Sequence, residues 1–159
     1  MPESPFGVVT FIAAPALLTN ASSVLAMSTI NRMLATRDQM QKMYFRSEEG
    51  KLPHPEHFLA KVDRVEKQAL LLLGALHAIY TALAAFAGAT LVTLLGAAAA
   101  AFVAQDILHL IIGLGLALGF VGVGGLMMGC GKLFKATQIS LINIQDEAMQ
   151  IRERQQQPV

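Results

Sequence analysis

Three ionisable side chains in otherwise apolar sequence have the types that could bind a metal ion. Asp106 and His109 are three residues apart, which places them on one face of a helix, and His77 lies in another apolar segment. A carboxylate with two imidazoles is a ligand set that transition metals use. The antiparallel helices predicted below, however, place His77 about eight residues into one membrane span and His109 at the outer start of the next. We therefore predict no metal site, and we interpret Asp106 as the N-cap of a helix.

Two other groups of residues could carry chemistry. The motif HPEH at residues 54–57 contains two histidines, but it lacks the regular helical spacing that lets two histidines bind one ion, so it is interpreted as a solvated loop. Cys130 is the single cysteine, and its place between two glycines in an apolar run favours a packing role over a reactive thiol. The sequence has no glycine-rich phosphate loop, nucleophile elbow or CxxC pair. These observations predict a non-enzymatic protein without a cofactor.

The composition indicates that much of the protein faces lipid. Of the 159 residues, 54% are hydrophobic and only 14% are charged, and the mean hydropathy is +0.52. A soluble domain has about 25% charged residues, so this chain has too little polar surface to cover a core in water. The formal net charge of +1 argues against binding to nucleic acid, which favours a strongly basic face.

The chain divides into three apolar segments and two charged ones. Residues 6–30, 69–95 and 107–131 are each long enough to cross a hydrocarbon core of roughly 30 Å as a helix. Residues 32–67 contain many charges and are predicted to form a helical hairpin in water, with a break at SEEGKLPHP. Residues 132–154 are predicted to form an aqueous C-terminal helix.

The positions of the basic residues predict the orientation. Lys and Arg are missing before the first span and between the second and third, whereas eight lie in residues 32–67 and four in the tail. Basic residues in short loops stay on the cytoplasmic side. We therefore expect the N-terminus outside and the C-terminus in the cytoplasm. The whole chain, residues 1–159, is predicted to form one all-α integral membrane domain with three transmembrane helices and cytoplasmic helical extensions.

Apolar stripes with alternating spacings of three and four mark the cytoplasmic helices. One leads into the second span, at Phe58, Val62, Val65, Ala69 and Leu72. Another follows the third span, at Phe134, Thr137, Leu141, Ile144, Ala148 and Ile151. We expect these faces to be buried against one another. The alternative is that each helix lies on the membrane surface, which the balance of acidic and basic residues disfavours.

Glycines in the third span predict close helix packing. Gly115 and Gly119 are four residues apart, and so are Gly125 and Gly129. This spacing lets a helix backbone approach a partner closely. The partner could be the second span, a second copy of the chain or a different subunit.

Polar residues on one face of the first span also predict a partner. Asn20, Ser23 and Asn31 lie at helical spacing together with Met27. In lipid, such groups form hydrogen bonds between helices, either within the chain or with a neighbour. The alternative is that this face lines the path of a permeating solute.

The stretch APALLTNASSVLAMSTINRMLATRDQM resembles the amino-terminal signature of a bacterial family of small three-span membrane proteins of unknown function. The similarity covers residues 8–152 and is motif-like over residues 14–37. The resemblance implies three helices and a location in the bacterial inner membrane, and it implies no activity.

These features together predict a protein that acts through assembly. We expect a homo-oligomer, or an accessory subunit of a larger membrane complex, whose partners are membrane lipid, other copies or other membrane subunits, and no nucleic acid. The alternative is an oligomeric channel or transport protein with a pore lined by the first span.

Overall fold

Three long α-helices form the protein in a computed structural model, which describes residues 5–48, 55–100, 102 and 104–156. The helices are α1 (Pro5–Glu48), α2 (Pro55–Ala99) and α3 (Gln105–Gln156). The described residues contain no strand. The predicted all-α class is confirmed.

Each helix contains a segment that is long and apolar enough to cross a membrane. These segments are Ala13–Phe45, Phe58–Ala99 and Gln105–Met149. α3 stays helical even though glycine disfavours a helix in water by about 1 kcal/mol relative to alanine. In lipid every backbone N–H and C=O needs an internal partner, and the helix provides it. The chain is therefore a multi-pass membrane protein with three candidate spans.

The helix ends follow local chemistry, with one departure from the prediction. α2 begins at Pro55, where proline suits the first turn because its missing N–H has no partner to lose there. At the start of α3, the carbonyl of Ala104 accepts hydrogen bonds from the N–H groups of Ile107 (3.1 Å) and Leu108 (3.2 Å). Ala104 is therefore the N-cap, and the interpretation of Asp106 as the cap is wrong. Asp106 lies in the first turn, where its negative charge still interacts favourably with the positive end of the helix dipole.

The chain forms two compact units. The first unit comprises Met1–Ser28 and Leu76–Gly129, and the second comprises Thr29–Ala75 and Cys130–Val159. The core of the first unit contains the aromatic side chain of Phe86 and otherwise mostly small residues. Its members are Ser22, Ala26, Ala78, Ile79, Ala82, Ala85, Phe86, Ala89 and Thr93. The core of the second unit is more mixed: Thr29, Thr36, Met43, Val65, Leu72, Ala75, Ala136 and Asn143.

The buried positions recur every seven residues along each helix. In α1 they are Ser22, Thr29, Thr36 and Met43; in α2 they are Val65, Leu72, Ile79, Phe86 and Thr93; in α3 they are Gly115, Gly122, Gly129, Ala136 and Asn143. A repeat of seven keeps one face of a helix against its neighbours when helices cross at about 20°. This repeat sets which side chains remain on the outside.

Candidate association surfaces

In the first unit, α2 and α3 pack through glycine and alanine. A Cβ atom built on Gly125 would lie 3.1 Å from the carbonyl oxygen of Ala78 and 3.3 Å from Cβ of Ala82. A Cβ atom on Gly122 would lie 2.5 Å from Cε1 of Phe86, a ring that is only 1% exposed. Glycine at these two positions is therefore what allows the backbone of α3 to lie against α2.

The four glycines of the predicted association face do not share one environment. Gly115 lies against Thr93, with 3.2 Å from its built Cβ to Cγ2, and Gly125 lies against α2 as described. Gly129 is buried. Gly119 is only half-buried, and a Cβ built on it would meet no atom within 4 Å. Three of the four thus lie on the buried face of α3, while Gly119 has open space beside it.

The polar residues of α1 divide into a buried and an exposed set. Ser22 is fully buried, and its hydroxyl donates to the carbonyl of Leu18 at 2.7 Å. The predicted residues Asn20, Ser23 and Asn31 are all exposed, and the Ser23 hydroxyl donates to the carbonyl of Thr19 at 3.1 Å. The predicted polar face therefore points away from the other helices of its own chain.

In the second unit, two threonine hydroxyls connect the three helices. The hydroxyl of Thr36 donates to the carbonyl of Arg32 (2.9 Å) and accepts from Nε2 of Gln68 on α2 (3.3 Å). The hydroxyl of Thr137 on α3 donates to the carbonyl of Leu133 (2.9 Å) and accepts from Nη1 of Arg32 (2.8 Å). Each hydroxyl can do both because it has one donor and two acceptor sites. Sequence reasoning missed Thr36, although its seven-residue spacing from buried Thr29 and Ser22 could have identified it.

Charged side chains also join α2 to α3 in the second unit. Lys61 pairs with Glu147 and Arg64 pairs with Asp146. Nζ of Lys132 donates to the carbonyl of Gly74 at 3.2 Å, and glycine leaves room for this contact because a Cβ at residue 74 would lie 3.0 Å from Nζ. The ion pairs are partly exposed, so each contributes little stability, but together they fix the alignment of the two helices.

The two apolar stripes predicted for the cytoplasmic helices have different outcomes. The stripe on α2 is covered, with Val65 and Leu72 buried. On α3, Phe134 is 67% exposed, Leu141 54% and Ile144 60%, so this stripe is not buried within its own chain, and its burial against another chain stays a prediction. The α3 face that is buried in the second unit instead includes Ala136 and Asn143. Their small volume continues the repeat of small residues at Gly115, Gly122 and Gly129, and this repeat decides which side of α3 turns inward.

The residues that could do chemistry do not converge. Asp106, His109 and His77 are exposed, and the described residues contain no group of three or more His, Cys, Asp or Glu that could hold a metal ion. His54 of the HPEH motif lies outside the described residues. For residues 55–57 the structure describes the backbone but not the side chains. Cys130 is exposed, so it is not packed inside its own chain, and packing against another chain stays a prediction.

The comparison with protein families identifies the chain. A model of the family described as "Protein of unknown function (DUF2721)" matches residues 12–145. The chain belongs to this family, and the resemblance to a family of unknown function is confirmed. No curated protein matches the chain, and no solved structure matches it.

Proposed function

We propose that this family member acts through assembly in the membrane, as a homo-oligomer or as an accessory subunit of a larger membrane complex. It is proposed to be non-enzymatic and to have membrane lipid and other membrane chains as its partners. The observation that carries the proposal is the exposed polar face of α1, and above all Asn20.

Asn20 lies well inside the first span and on the outer face of its helix. A carboxamide has two donors and two acceptor sites, and hydrocarbon offers partners to none of them. Ser22 and Ser23 satisfy their hydroxyls with carbonyls one turn back on the same helix. Hydrogen bonds between transmembrane helices contribute about 0.6–2 kcal/mol each. A hydrogen bond between Asn20 and a neighbouring transmembrane helix would therefore stabilise the association of the two helices.

The proposed location is the bacterial inner membrane, with the N-terminus outside and the C-terminus in the cytoplasm. All twelve basic residues lie in residues 32–67 and in the tail, and this bias follows the rule that basic residues stay inside. The proposed orientation requires both charged segments to lie on the same side of the membrane, and the ion pairs of Lys61 with Glu147 and Arg64 with Asp146, which join the two segments, support this requirement.

The test is the mass of the protein after gentle extraction from its membrane, with every co-purifying chain identified. We expect either a multiple of 17.0 kDa or a stoichiometric complex with other chains. Asn20→Leu should lower the association constant about threefold to thirtyfold, which corresponds to the loss of one interhelical hydrogen bond. Val24→Leu, at another exposed position of α1, is the matched control and should leave the mass unchanged.

A single chain without any co-purifying partner would overturn the proposal. If Asn20→Leu leaves the assembled fraction unchanged, Asn20 makes no hydrogen bond to another chain in the assembly. Asn20 would then lie outside the interface.

The second candidate function is an oligomeric channel or transport protein. The same exposed face of α1 favours it, since Asn20, Ser23 and Asn31 would line a path if several copies surrounded it. The protein in liposomes would then conduct ions, and Asn20→Leu would change the conductance. Liposomes without flux would leave assembly as the function.

A further inference from the structure

The cytoplasmic part of α3 has a second apolar face that its own chain leaves uncovered. We name it the α3 stripe; its members are Cys130, Phe134, Thr137, Leu141, Ile144 and Ala148, all exposed. Their spacings alternate between four and three. This is the pattern of the contact positions of a coiled coil, in which Phe134, Leu141 and Ala148 occupy a, and Cys130, Thr137 and Ile144 occupy d.

The α3 stripe begins at Cys130, at the inner end of the predicted third span, and continues beyond it into water. Leu141 and Ile144 are nine and twelve residues beyond Lys132, which is roughly 14–18 Å along a helix. Close to them on the same helix, Asp146 and Glu147 bind Arg64 and Lys61 of α2. Charged pairs of this kind do not lie in hydrocarbon. Apolar side chains in water that remain exposed in the single chain need another protein surface to cover them.

We infer that a second copy of this chain covers the α3 stripe, and that the two α3 helices pair there as a parallel two-stranded coiled coil. The inference rests on the proposed function and specifies its partner and its surface. All copies insert in the membrane with the same orientation, so a contact between two α3 helices has to be parallel. A parallel pair around a two-fold axis brings each a and d residue next to the same residue of the other copy.

The residues that flank the stripe are compatible with this self-pairing. The e positions are Gly131, Gln138, Gln145 and Arg152, and the g positions are Leu133, Ser140 and Glu147. In a parallel pair, each g residue faces the e residue that follows it by five in the other helix. Glu147 therefore faces Arg152 of the second copy, two opposite charges, and no flanking position brings like charges together. Glu147 can bind Arg152 and its own Lys61 at once, because a carboxylate accepts several hydrogen bonds.

The exposed apolar residues of the other two helices in this unit do not offer such a surface. On α1, Leu34 and Phe45 are exposed but are separated by Arg37, Asp38 and Lys42. On α2, Leu59 is exposed and its helical neighbour Asp63 pairs with Lys67 at 2.7 Å. Leu70 and Leu73 are also exposed, but they lie in the predicted second span rather than in water. The α3 stripe is thus the face in water on which a second copy can bury the most apolar area, and the charge beside it is that of Arg32, whose Nη1 donates to Thr137 at the edge of the stripe.

Cys130 provides the test, since it is the single cysteine and occupies a d position. Mild oxidation of the full-length protein in its native membrane should link two chains into a species of twice 17.0 kDa, and Cys130→Ser should abolish it. In the Cys130→Ser background, Ile144→Cys should restore the link. Ile142→Cys is the matched control: Ile142 is also exposed but lies at b, away from the pair, so at least about tenfold less product is expected there.

A second variant tests the stripe by its chemistry. Leu141→Glu places a charge at the a position of both copies, where the two carboxylates would face each other. It should lower the Cys130-linked fraction at least about tenfold, whereas Ile142→Glu should not lower it.

The outcomes separate this inference from the proposed function. Equal linking at residues 142 and 144, or no link at either, overturns the α3 pairing. If the extracted protein still has the mass of an oligomer or a foreign complex, assembly stands and uses another surface or partner. If the extracted protein has the mass of one chain, both proposals are wrong.

Discussion

At the scale of single residues, the absence of a side chain at Gly122 determines how α3 meets α2. Glycine to alanine in a helix gains about 1 kcal/mol from backbone propensity. At residue 122 the new methyl would overlap three ring atoms of Phe86, at 2.5, 2.7 and 2.9 Å. Because that ring is itself buried, it cannot move without displacing its neighbours, so overpacking outweighs propensity.

We therefore expect Gly122→Ala to lower the free energy of unfolding in detergent by about 1–3 kcal/mol. Gly124→Ala is the matched control, since a Cβ there meets nothing within 4 Å. It should be neutral or stabilising by up to about 1 kcal/mol. Denaturation followed by helical circular dichroism measures both variants. Equal stability of the two would mean that the Phe86 ring adapts easily.

The division between Ser22 and Ser23 shows which information a transmembrane sequence lacks. Both are serines in an uncharged segment, yet Ser22 is buried and Ser23 exposed. Apolar residues surround the helix on every side, so hydropathy does not distinguish the face toward protein from the face toward lipid. The prediction of Asn20, Ser23 and Asn31 as one face was correct as helical geometry, but it could not specify whether that face turns toward the chain's own helices.

At the scale of elements, the three helices follow from sequence because span length and charge clusters are coarse features. Which face of α2 is buried could be predicted from the sequence, because large apolar residues lie on one side of its aqueous part. The buried face was not recovered for α3, where the larger side chains, such as Phe134 and Leu141, remain exposed and small residues turn inward. The pattern that marks the buried side of α3 is the seven-residue repeat of Gly115, Gly122, Gly129 and Ala136. This repeat covers more of the helix than the glycine pairs with a spacing of four residues.

Asn143 continues that repeat with a polar side chain. It is 6% exposed, and among the described residues neither Nδ2 nor Oδ1 has a hydrogen-bond partner. An unsatisfied buried amide costs about 1–3 kcal/mol. Asparagine at the contact position of a coiled coil is a known device for fixing the register of helices at the expense of stability.

We expect Asn143→Leu to raise the free energy of unfolding by about 1 kcal/mol or more, because it replaces the amide with apolar volume. The midpoint of denaturation in detergent measures this. Gln41→Leu, at an exposed position of α1, is the control and should change the midpoint little. A lower midpoint for Asn143→Leu would show that the carboxamide is hydrogen-bonded in the folded protein.

At the scale of the whole molecule, Gly119 separates packing within a chain from packing between chains. It belongs to the glycine pair that predicts association, and yet its own chain leaves open space beside it. A side chain can therefore begin at this position without meeting its own chain, whereas a side chain at Gly122 would overlap the ring of Phe86. Any effect of Gly119→Leu on the size of the assembly has to come from a second chain that approaches this point closely.

We expect Gly119→Leu to shrink the assembly extracted in mild detergent, with the unfolding midpoint of the single chain unchanged. Gly113→Leu is the control, since Gly113 is in equally open space but outside the predicted glycine pairs. The mass by light scattering or native mass spectrometry measures the effect. An unchanged mass for Gly119→Leu would exclude the glycine face, and the contacts proposed for Asn20 on α1 and for the α3 stripe would then have to hold the copies together.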